Sequence, residues 1–230
     1  GFRCLLTSCP IIPSLEPHSS YSRHRNHTNI IAFNVSVERL SEALWRVVSM
    51  TETMELVDFL LPKRIECIRR VVEGRTRQVV IALEALGKGH NQSAILRTCD
   101  AFGLQDVHVI ESEGRKFKPQ KVITQGVHKW LDIHRYTTTT KAIQHLKKEG
   151  YQVWASTLQP NSLPLPKVDF TQRIALLFGN EHDGLSEESL ALCDGSFVIP
   201  MIGFSQSFNV SVATALTLSE VYRQRLERWG

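Results

Sequence analysis

The sequence predicts an α/β protein in which a parallel β-sheet is flanked by helices. From residue 78 onward, β-rich runs alternate with helical patterns, which is the order produced when helices connect parallel strands. Glycines and polar residues also cluster directly after several of these runs, where ligands bind in open α/β sheets. The chain has 230 residues, 42% of them hydrophobic and 22% charged, which is enough apolar material to bury a core.

The first 37 residues differ in composition from the rest of the chain. They contain six serines, three arginines, three histidines and three prolines, but a single acidic residue, Glu16. This bias is typical of a transit peptide and favours an organellar location, in a chloroplast or mitochondrion. A disordered tail on a cytoplasmic protein is the alternative interpretation.

Residues 38–77 are predicted to form a basic helical extension. A first helix begins near Ser36, and a second runs from Pro62 to Glu73, with proline suited to its first turn and Gly74 to its end. This segment is rich in arginine, which indicates either a solvated helix face or an arm that contacts RNA. The arginines are Arg64, Arg69, Arg70, Arg75 and Arg77.

Residues 78–230 are predicted to form the α/β domain. The predicted strands are 78–85, 107–110, 152–156, 174–178 and 196–199, and the predicted helices are 91–102, 140–149, 186–192 and 209–229. Three of the loops that follow strands carry unusual residues.

The first of these loops is LGKGHNQSAILRTCDAFG, residues 86–103. Two closely spaced glycines suggest a dinucleotide fingerprint, but Gln92 stands where a small residue is needed, which argues against a nicotinamide-dependent oxidoreductase. Asn91 is predicted to cap the following helix. Arg97 lies beside the apolar stripe of that helix, a position that is most often exposed to solvent.

The second loop is LLFGNEHDGLSEESL, residues 176–190. Gly179 follows a buried strand and would let a ligand approach the backbone. Asp183 and Gly184 indicate a turn, and Ser186 is predicted to cap a short helix. Turn and cap chemistry leave Glu181, an acid directly after the strand, without an explanation.

The third loop is IPMIGFSQSFNVSVATAL, residues 199–216. Pro200, Met201 and Gly203 predict an irregular turn, after which either Ser207 or Asn209 can cap the last helix. Free backbone N–H groups at a helix start bind anions or carboxylates.

Together and in this order, the three segments resemble the signature of the SpoU/TrmH branch of the SPOUT-class 2′-O-methyltransferases. The resemblance covers roughly residues 62–229 and includes GVHKW at 126–130. It implies a SPOUT fold whose carboxyl-terminal part forms a deep trefoil knot, a homodimer, and transfer of a methyl group from S-adenosylmethionine to a ribose in tRNA, at the D-loop guanosine. The implied alternatives are ribosomal RNA as substrate, or an inactive RNA-binding module.

The resemblance also assigns roles to residues. The implied catalytic residues are Arg97, Asn91, Glu181, Ser207 and Asn209, with Arg97 at the ribose or its phosphate. The implied cofactor-binding residues are Thr157, Gly179, Ile199, Met201 and Phe208. The implied RNA-binding residues are Arg223, Arg225, Lys129, His128 and Arg69.

Net charge, cysteine content and the length of apolar runs indicate which partners and which kinds of site the protein can have. A net charge of +4 and a pI near 8.9 suit an anionic partner, although many proteins that bind no RNA are equally basic. The five cysteines show no CxxC pair and no spacing typical of metal ligands, so neither a disulfide framework nor a metal site is expected. No apolar run reaches the ~20 residues of a membrane helix.

Overall fold

The computed structural model describes residues 60–112 and 116–229. Seven parallel strands form one sheet in the order β3-β2-β1-β6-β4-β7-β5. The strands are β1 Val79–Glu84, β2 Asp106–Ile110, β3 Asp132–Tyr136, β4 Gln152–Ser156, β5 Leu163–Pro164, β6 Ile174–Phe178 and β7 Gly195–Val198. The helices are α1 Pro62–Glu73, α2 Gly89–Ala101, α3 Lys121–Thr124, α4 Thr139–Lys148, α5 Glu187–Leu192 and α6 Val210–Trp229, with 3₁₀ turns at Val127–Lys129 and Leu165–Lys167.

The prediction of a parallel sheet flanked by helices is confirmed. Alternate residues of β1 enter two separate cores, one on each face of the sheet. Ile81 packs with Ile95 of α2 and Leu218 of α6. Val80 packs with Ile143 of α4 on the opposite face. Because both faces are covered, the central strands β1 and β6 are apolar except for Glu84 at the end of β1, which made both strands recognisable in the sequence.

β3 was not predicted. Its sequence, DIHRY, places charged and polar residues in a strand that is half-buried along most of its length, so it lacks the apolar run that marked the other strands. It pairs with β2 from Asp106↔Asp132 to Ile110↔Tyr136 and forms one edge of the sheet. The sequence also gave no signal for the two-residue strand β5 at the other edge.

One helix start was predicted wrongly. α2 begins at Gly89 with Lys88 at its N-cap position, so Asn91 lies within the first turn and does not cap the helix. Residues 116–120 pack closely against this turn, and glycine is needed at position 89 because a Cβ there would lie 2.9 Å from the carbonyl oxygen of Lys118. Placing Asn91 inside the helix frees its side chain for contacts outside the helix.

α1 has the predicted bounds, Pro62–Glu73. The arginines that follow it are used inside the chain. Arg75 pairs with Asp100 and donates to the carbonyl oxygen of Leu104 at 2.6 Å. Arg77 bonds Asp106 and Asp132, each at 2.6 Å. These two side chains join the end of α1 to the sheet, so their sequence clustering reflects folding contacts as well as charge.

Other predictions lie outside what the structure describes. The transit-peptide-like segment 1–37 and the helix near Ser36 precede the first described residue, and the domain boundaries and the organellar location stay predictions. The trefoil knot also stays a prediction, although the chain does insert β6 between β1 and β4 after forming the edge strand β5. In the described residues, no helix is long and apolar enough to cross a membrane, and no cluster of three or more His, Cys, Asp or Glu side chains could hold a metal ion.

Candidate active site

The loops singled out in the sequence leave neighbouring strands at the carboxyl edge of the sheet. β1, β6, β4 and β7 are consecutive in the sheet, so the residues that follow them lie side by side. Phe178 at the end of β6 is paired with Leu83 of β1, and Ser156 at the end of β4 is paired with Phe197 of β7. The predicted cofactor-binding positions Thr157, Gly179 and Ile199 are half-buried residues that directly follow these strands.

Asn91 connects all three loops. Its Nδ2 donates to Glu181 Oε1 at 2.5 Å, and its Oδ1 accepts a hydrogen bond from Asn209 Nδ2 at 3.2 Å. Only 1% of the Asn91 surface is exposed. A buried amide must have its polar atoms paired, and here the partners come from residues 90 and 118 positions away. The structure therefore brings together three of the five predicted catalytic residues.

Asn209 serves two purposes at once. Its Oδ1 accepts from the backbone N–H of Ser211 at 2.9 Å and from the Ser211 hydroxyl at 2.6 Å, as expected of a residue that caps α6. Its backbone carbonyl accepts from the N–H of Ala213 at 2.9 Å. Because capping uses only the carbonyl oxygen of the side chain, the Nδ2 group remains available for Asn91.

Glu181 lies in a tight turn after β6. Asn180 Oδ1 accepts from the backbone N–H groups of His182 and Asp183 at 2.8 and 2.9 Å, and the backbones of Asn180 and Gly184 form a bridge. A Cβ built at Gly179 would overlap the carbonyl group of Gly184. Glycine is therefore required at position 179 because the chain returns past it at Gly184. That Gly179 also lets a ligand approach the backbone stays a prediction.

Arg97 and Ser207 are not part of the Asn91 cluster. Arg97 is exposed on α2 and its Nη1 donates to the carbonyl oxygen of Ile123 at 3.3 Å. Ser207 lies in an exposed loop together with Phe208. Met201, at the start of this loop, is half-buried. Among the described residues, no hydrogen bond therefore joins Arg97 to Asn91, Glu181 or Asn209, the residues with which the resemblance groups it.

Exposed apolar side chains occupy the same loop and the adjoining helix. Ile202 and Phe204 are fully exposed, and Phe208 is 40% exposed. On α6, further large apolar residues face solvent, namely Val212, Leu216, Tyr222, Leu226 and Trp229. Apolar residues grouped in this way beside a polar site mark a surface that binds another molecule.

Gln92 and Ser93 are site residues that the sequence analysis missed. Gln92 is fully buried; its Nε2 donates to the carbonyl oxygen of Leu86 at 2.7 Å and its Oε1 accepts from the N–H of Lys118 at 2.7 Å. Ser93 Oγ accepts from the N–H of Gln120 at 2.7 Å. These bonds hold residues 116–120 against α2, just before Ile123, which contacts Arg97. The signal available in the sequence for these contacts was the presence of two polar residues, Gln92 and Ser93, at positions of α2 that face the core.

Four of the five predicted RNA-binding residues already have partners within the chain. Arg69 pairs with Glu66 at 3.1 Å. Arg225 donates to the carbonyl oxygens of Phe170 and Gln172 at 3.0 and 2.6 Å, and burial lowers its pKa. Arg225 therefore anchors the turn that precedes β6. Its role in binding RNA stays a prediction.

The remaining predicted RNA-binding residues lie on α6 and on the segment after α3. Arg223 pairs on the helix surface with Glu220 and Glu227, and its hydrogen bond to Glu220 raises its pKa. His128 Nδ1 lies 2.9 Å from Thr124 Oγ1; burial, and then the nearby charge of Lys129, lower its pKa. Lys129 is exposed. Both His128 and Lys129 lie on the segment after α3, near the end of the α2 surface that carries Arg97.

A groove elsewhere on the molecule does not coincide with this site. It is lined by Lys147, Tyr151, Trp154 and Asp194 and lies where β4 begins, at the amino edge of the sheet. The site at the carboxyl edge has the location that ligands take in parallel α/β sheets. Fold and site together thus define a parallel α/β protein in which three loops at the carboxyl edge of the sheet are joined through one buried asparagine.

Comparison with known proteins identifies the family. The model of the SpoU rRNA Methylase family matches residues 78–219. A tRNA (guanosine(18)-2′-O)-methyltransferase from Aquifex aeolicus is 39% identical over 169 residues, which cover 74% of this chain and 80% of that protein. The enzyme of the same name from Thermus thermophilus is 41% identical over 160 residues, covering 70% and 82%.

A solved structure agrees with this result. The crystal structure of the Aquifex aeolicus TrmH/SpoU tRNA modifying enzyme matches with a TM-score of 0.68 and 39% identity, covering 72% of this chain and 84% of that one. The chain belongs to the SpoU methylase family.

Proposed function

We propose that this protein transfers the methyl group of S-adenosylmethionine to a ribose 2′-hydroxyl in tRNA, at the D-loop guanosine 18. The substrate is suggested by the curated relatives, which are named for guanosine 18 of tRNA. The observation that carries the proposal is the contact of Asn91 with both Glu181 and Asn209, because it joins the three signature loops at one edge of the sheet.

The chain offers suitable groups for the methyl donor. Thr157, Gly179, Ile199 and Met201 present half-buried main chain at neighbouring strand ends, and Phe208 adds an accessible apolar ring. Main-chain N–H and C=O groups can pair with an adenine edge and a methionine carboxylate, while a phenyl ring covers an apolar face. S-adenosylmethionine, when bound, supplies a methyl group on a positively charged sulfur.

Arg97 is proposed to act on the ribose oxygen. A guanidinium group keeps its proton at any physiological pH, so Arg97 is a poor base. It is well suited to stabilise the negative charge that develops on the 2′-oxygen and to contact an adjacent phosphate. Its present partner is a neutral backbone carbonyl and its side chain is exposed, so RNA can draw it away at little cost.

Two copies of the chain are proposed to form the active unit. The exposed Ile202, Phe204 and Phe208 lie beside the site, and α6 continues this apolar surface. A second copy placed on this surface would bury these residues. It would also allow an Arg97 to approach a site from the other chain. In a symmetric pair the same surface is used by both copies, which requires a patch that complements itself.

The tRNA is proposed to lie across the segment around α3. Lys121, Lys129 and Arg97 are exposed there, and His128 lies among them. Phosphate contacts from such side chains supply affinity that falls as salt rises. A ribosomal RNA substrate is the second candidate, because the matching family model is described by rRNA methylation.

Methyl incorporation from labelled S-adenosylmethionine tests the proposal. Separate reactions would contain tRNA, tRNA with a 2′-deoxy residue at position 18, and ribosomal RNA. We expect label in the first only. Label in ribosomal RNA alone would replace the tRNA proposal by the second candidate, and label in the 2′-deoxy tRNA would exclude the proposed target atom.

Arg97 variants test its assigned part in the reaction. Arg97→Ala and Arg97→Lys should reduce kcat by roughly 10²-fold or more, in line with the loss of a single group that stabilises transition-state charge. Both should leave Tm nearly unchanged, because the side chain is exposed. An Arg97→Lys variant with full activity would show that the planar, two-pronged guanidinium is not required.

A further inference from the structure

We infer that Glu84 is a positioning residue that sets the loop carrying Glu181, an inference that rests on the proposed methyltransferase function. Glu84 is the last residue of β1 and only 6% of its surface is exposed. It does not belong to the three signature segments. No ion pair involving Glu84 occurs among the described residues. A carboxylate buried in this way requires another form of compensation.

The compensation comes from four hydrogen bonds. Glu84 Oε1 accepts from the hydroxyl groups of Thr139, Ser186 and Ser189 at 2.5, 2.8 and 2.6 Å. Glu84 Oε2 accepts from the backbone N–H of Ser186 at 2.9 Å. An ionised carboxylate is purely an acceptor with about four lone-pair positions in total. Glu84 receives four donors, three of them at Oε1 and one at Oε2.

Two of the four bonds end on Ser186, which closes the loop that begins at Gly179. At the loop's start, β6 is fixed against β1 by the pairing of Phe178 with Leu83. At the loop's end, Ser186 is fixed by Glu84, the residue that follows Leu83. The last two residues of β1 therefore hold both ends of the loop, and Glu181 lies between them.

The same strand also leads to the partner of Glu181. After Glu84 the chain turns through Ala85, which has a left-handed φ of 52°, and enters α2 with Asn91. Asn91 then donates to Glu181 at 2.5 Å. Glu84 thus holds the end of the loop at Ser186, and Asn91 holds Glu181 within the loop. Both residues come from one continuous stretch of chain. Loss of the contact between Glu84 and Ser186 should let Glu181 and the backbone after Gly179 move.

A purely stabilising role is the alternative to be separated. Replacing a buried carboxylate that has partners lowers the stability of the protein, whatever the position of that carboxylate in the fold. Asp106 is a matched control: it is 5% exposed, lies at the start of β2 on the opposite edge of the sheet, and accepts hydrogen bonds from Arg77 and His134. Thr139 is a second control, because it donates to the same carboxylate from α4 and is not part of the loop.

The experiment measures S-adenosylmethionine affinity by calorimetry, KM and kcat with tRNA, and Tm, for the full chain and four variants. Glu84→Gln should weaken S-adenosylmethionine binding on the order of tenfold, the equivalent of about one charge-assisted hydrogen bond. Ser186→Ala should weaken it in the same direction. Asp106→Asn and Thr139→Val should lower Tm with less than about a twofold change in affinity, since neither holds the loop.

The outcomes distinguish a failure of the proposed methyltransferase function from a failure of the positioning role of Glu84. An unmodified chain that fails to bind S-adenosylmethionine would contradict the proposed function itself. An unmodified chain that binds, with Glu84→Gln and Ser186→Ala unchanged in affinity but lower in Tm, would overturn the positioning role and leave a structural one. If Glu84→Gln does not fold, Ser186→Ala decides between these outcomes by its affinity, because it keeps the carboxylate and removes the one hydroxyl that both bonds Glu84 and caps α5.

Discussion

Asn91 donates a hydrogen bond of 2.5 Å to Glu181 across 90 positions of sequence. The Glu181 carboxylate is half-buried, so a hydrogen-bond donor from the protein must replace water that burial removes. The amide in turn needs the carboxylate, since an unpaired Nδ2 group in the protein interior would be costly. The two residues therefore fix the distance between the loop after β1 and the loop after β6.

Exchanging the donor and acceptor groups of Asn91 and Glu181 tests how much their hydrogen bond contributes to stability and to methyl transfer. Asn91→Asp places a second carboxylate against Glu181 and removes the donor, so we expect a loss of about 1–3 kcal/mol in the free energy of unfolding and a strong loss of methyl transfer. The double variant Asn91→Asp with Glu181→Gln restores one donor and one acceptor. Urea unfolding of the four proteins should give a favourable coupling energy. Additive effects would show that the two side chains act independently.

The turn after β6 depends on a glycine. Gly179→Ala should destabilise the protein by several kcal/mol and abolish S-adenosylmethionine binding, because its Cβ would overlap the Gly184 backbone. Gly74→Ala is the control, because Gly74 lies outside the site and a Cβ there makes only an ordinary contact, 3.5 Å from the carbonyl oxygen of Arg70. Tm and calorimetric affinity should distinguish the two, and an unaltered Gly179→Ala would contradict the described turn.

Stability should fall in acid because of His108. Burial, and then the charge of His134, lower the pKa of His108 to about 3, from the ordinary histidine pKa of 6.5. The folded protein therefore holds His108 neutral, while the unfolded chain takes up a proton below about pH 6.5. Its contribution to stability is present above the unfolded pKa and is lost progressively as pH falls toward about 3.

Other titrating groups around His108 must be included in this comparison. Asp106 raises the pKa of His108 and His145 lowers it, and the pKa of Asp106 itself is lowered despite its burial, through its hydrogen bond with His134 and its ion pair with Arg77. The contribution of Asp106 is present above the ordinary carboxyl pKa and is lost as pH falls from there through its lowered pKa. Urea unfolding at pH 8, 6 and 5 should show a decline of a few kcal/mol at most. His108→Gln should flatten that decline, and an equal slope in the variant would refute the assignment.

Association of two chains is tested on α6. Leu216→Glu introduces a charge on the exposed apolar face and should shift sedimentation from dimer to monomer. Lys167→Glu, an exposed site elsewhere on the chain, should leave the assembly unchanged. Mixing Arg97→Ala with Asn209→Ala chains examines whether two chains share a site, since activity restored in mixed dimers requires a contribution from each. A monomeric unmodified protein with full activity would exclude the dimer.

The sequence was sufficient to predict the parts of the fold in which burial leaves an apolar pattern. β6 lies at the residues expected for it, Ile174–Phe178, because a strand covered on both faces must be apolar throughout. β3 was missed because an edge strand can be polar. Likewise, the cap at Ser186 was predicted from local chemistry and is present, with its side chain accepting from the N–H of Ser189.

The site was predictable only in part, for the same physical reason. The motif residues Asn91, Glu181 and Asn209 were identified and do meet. Glu84 and Gln92 were missed because their partners are set by tertiary packing; Glu84 bonds residues 55 and 102 positions away. A buried polar side chain cannot be distinguished in sequence from an exposed one until the chain that covers it is known.

The two edges of the sheet have a consequence for how the protein behaves at high concentration. β3 carries charged side chains, with Arg135 paired to Glu111 and Asp132 paired to Arg77, and β5 is two residues long and ends in Pro164, which has no N–H to offer. Neither edge is therefore a template on which a foreign strand could extend the ladder into fibrils. Self-association is left to side-chain surfaces, where it can stop at a defined number of copies.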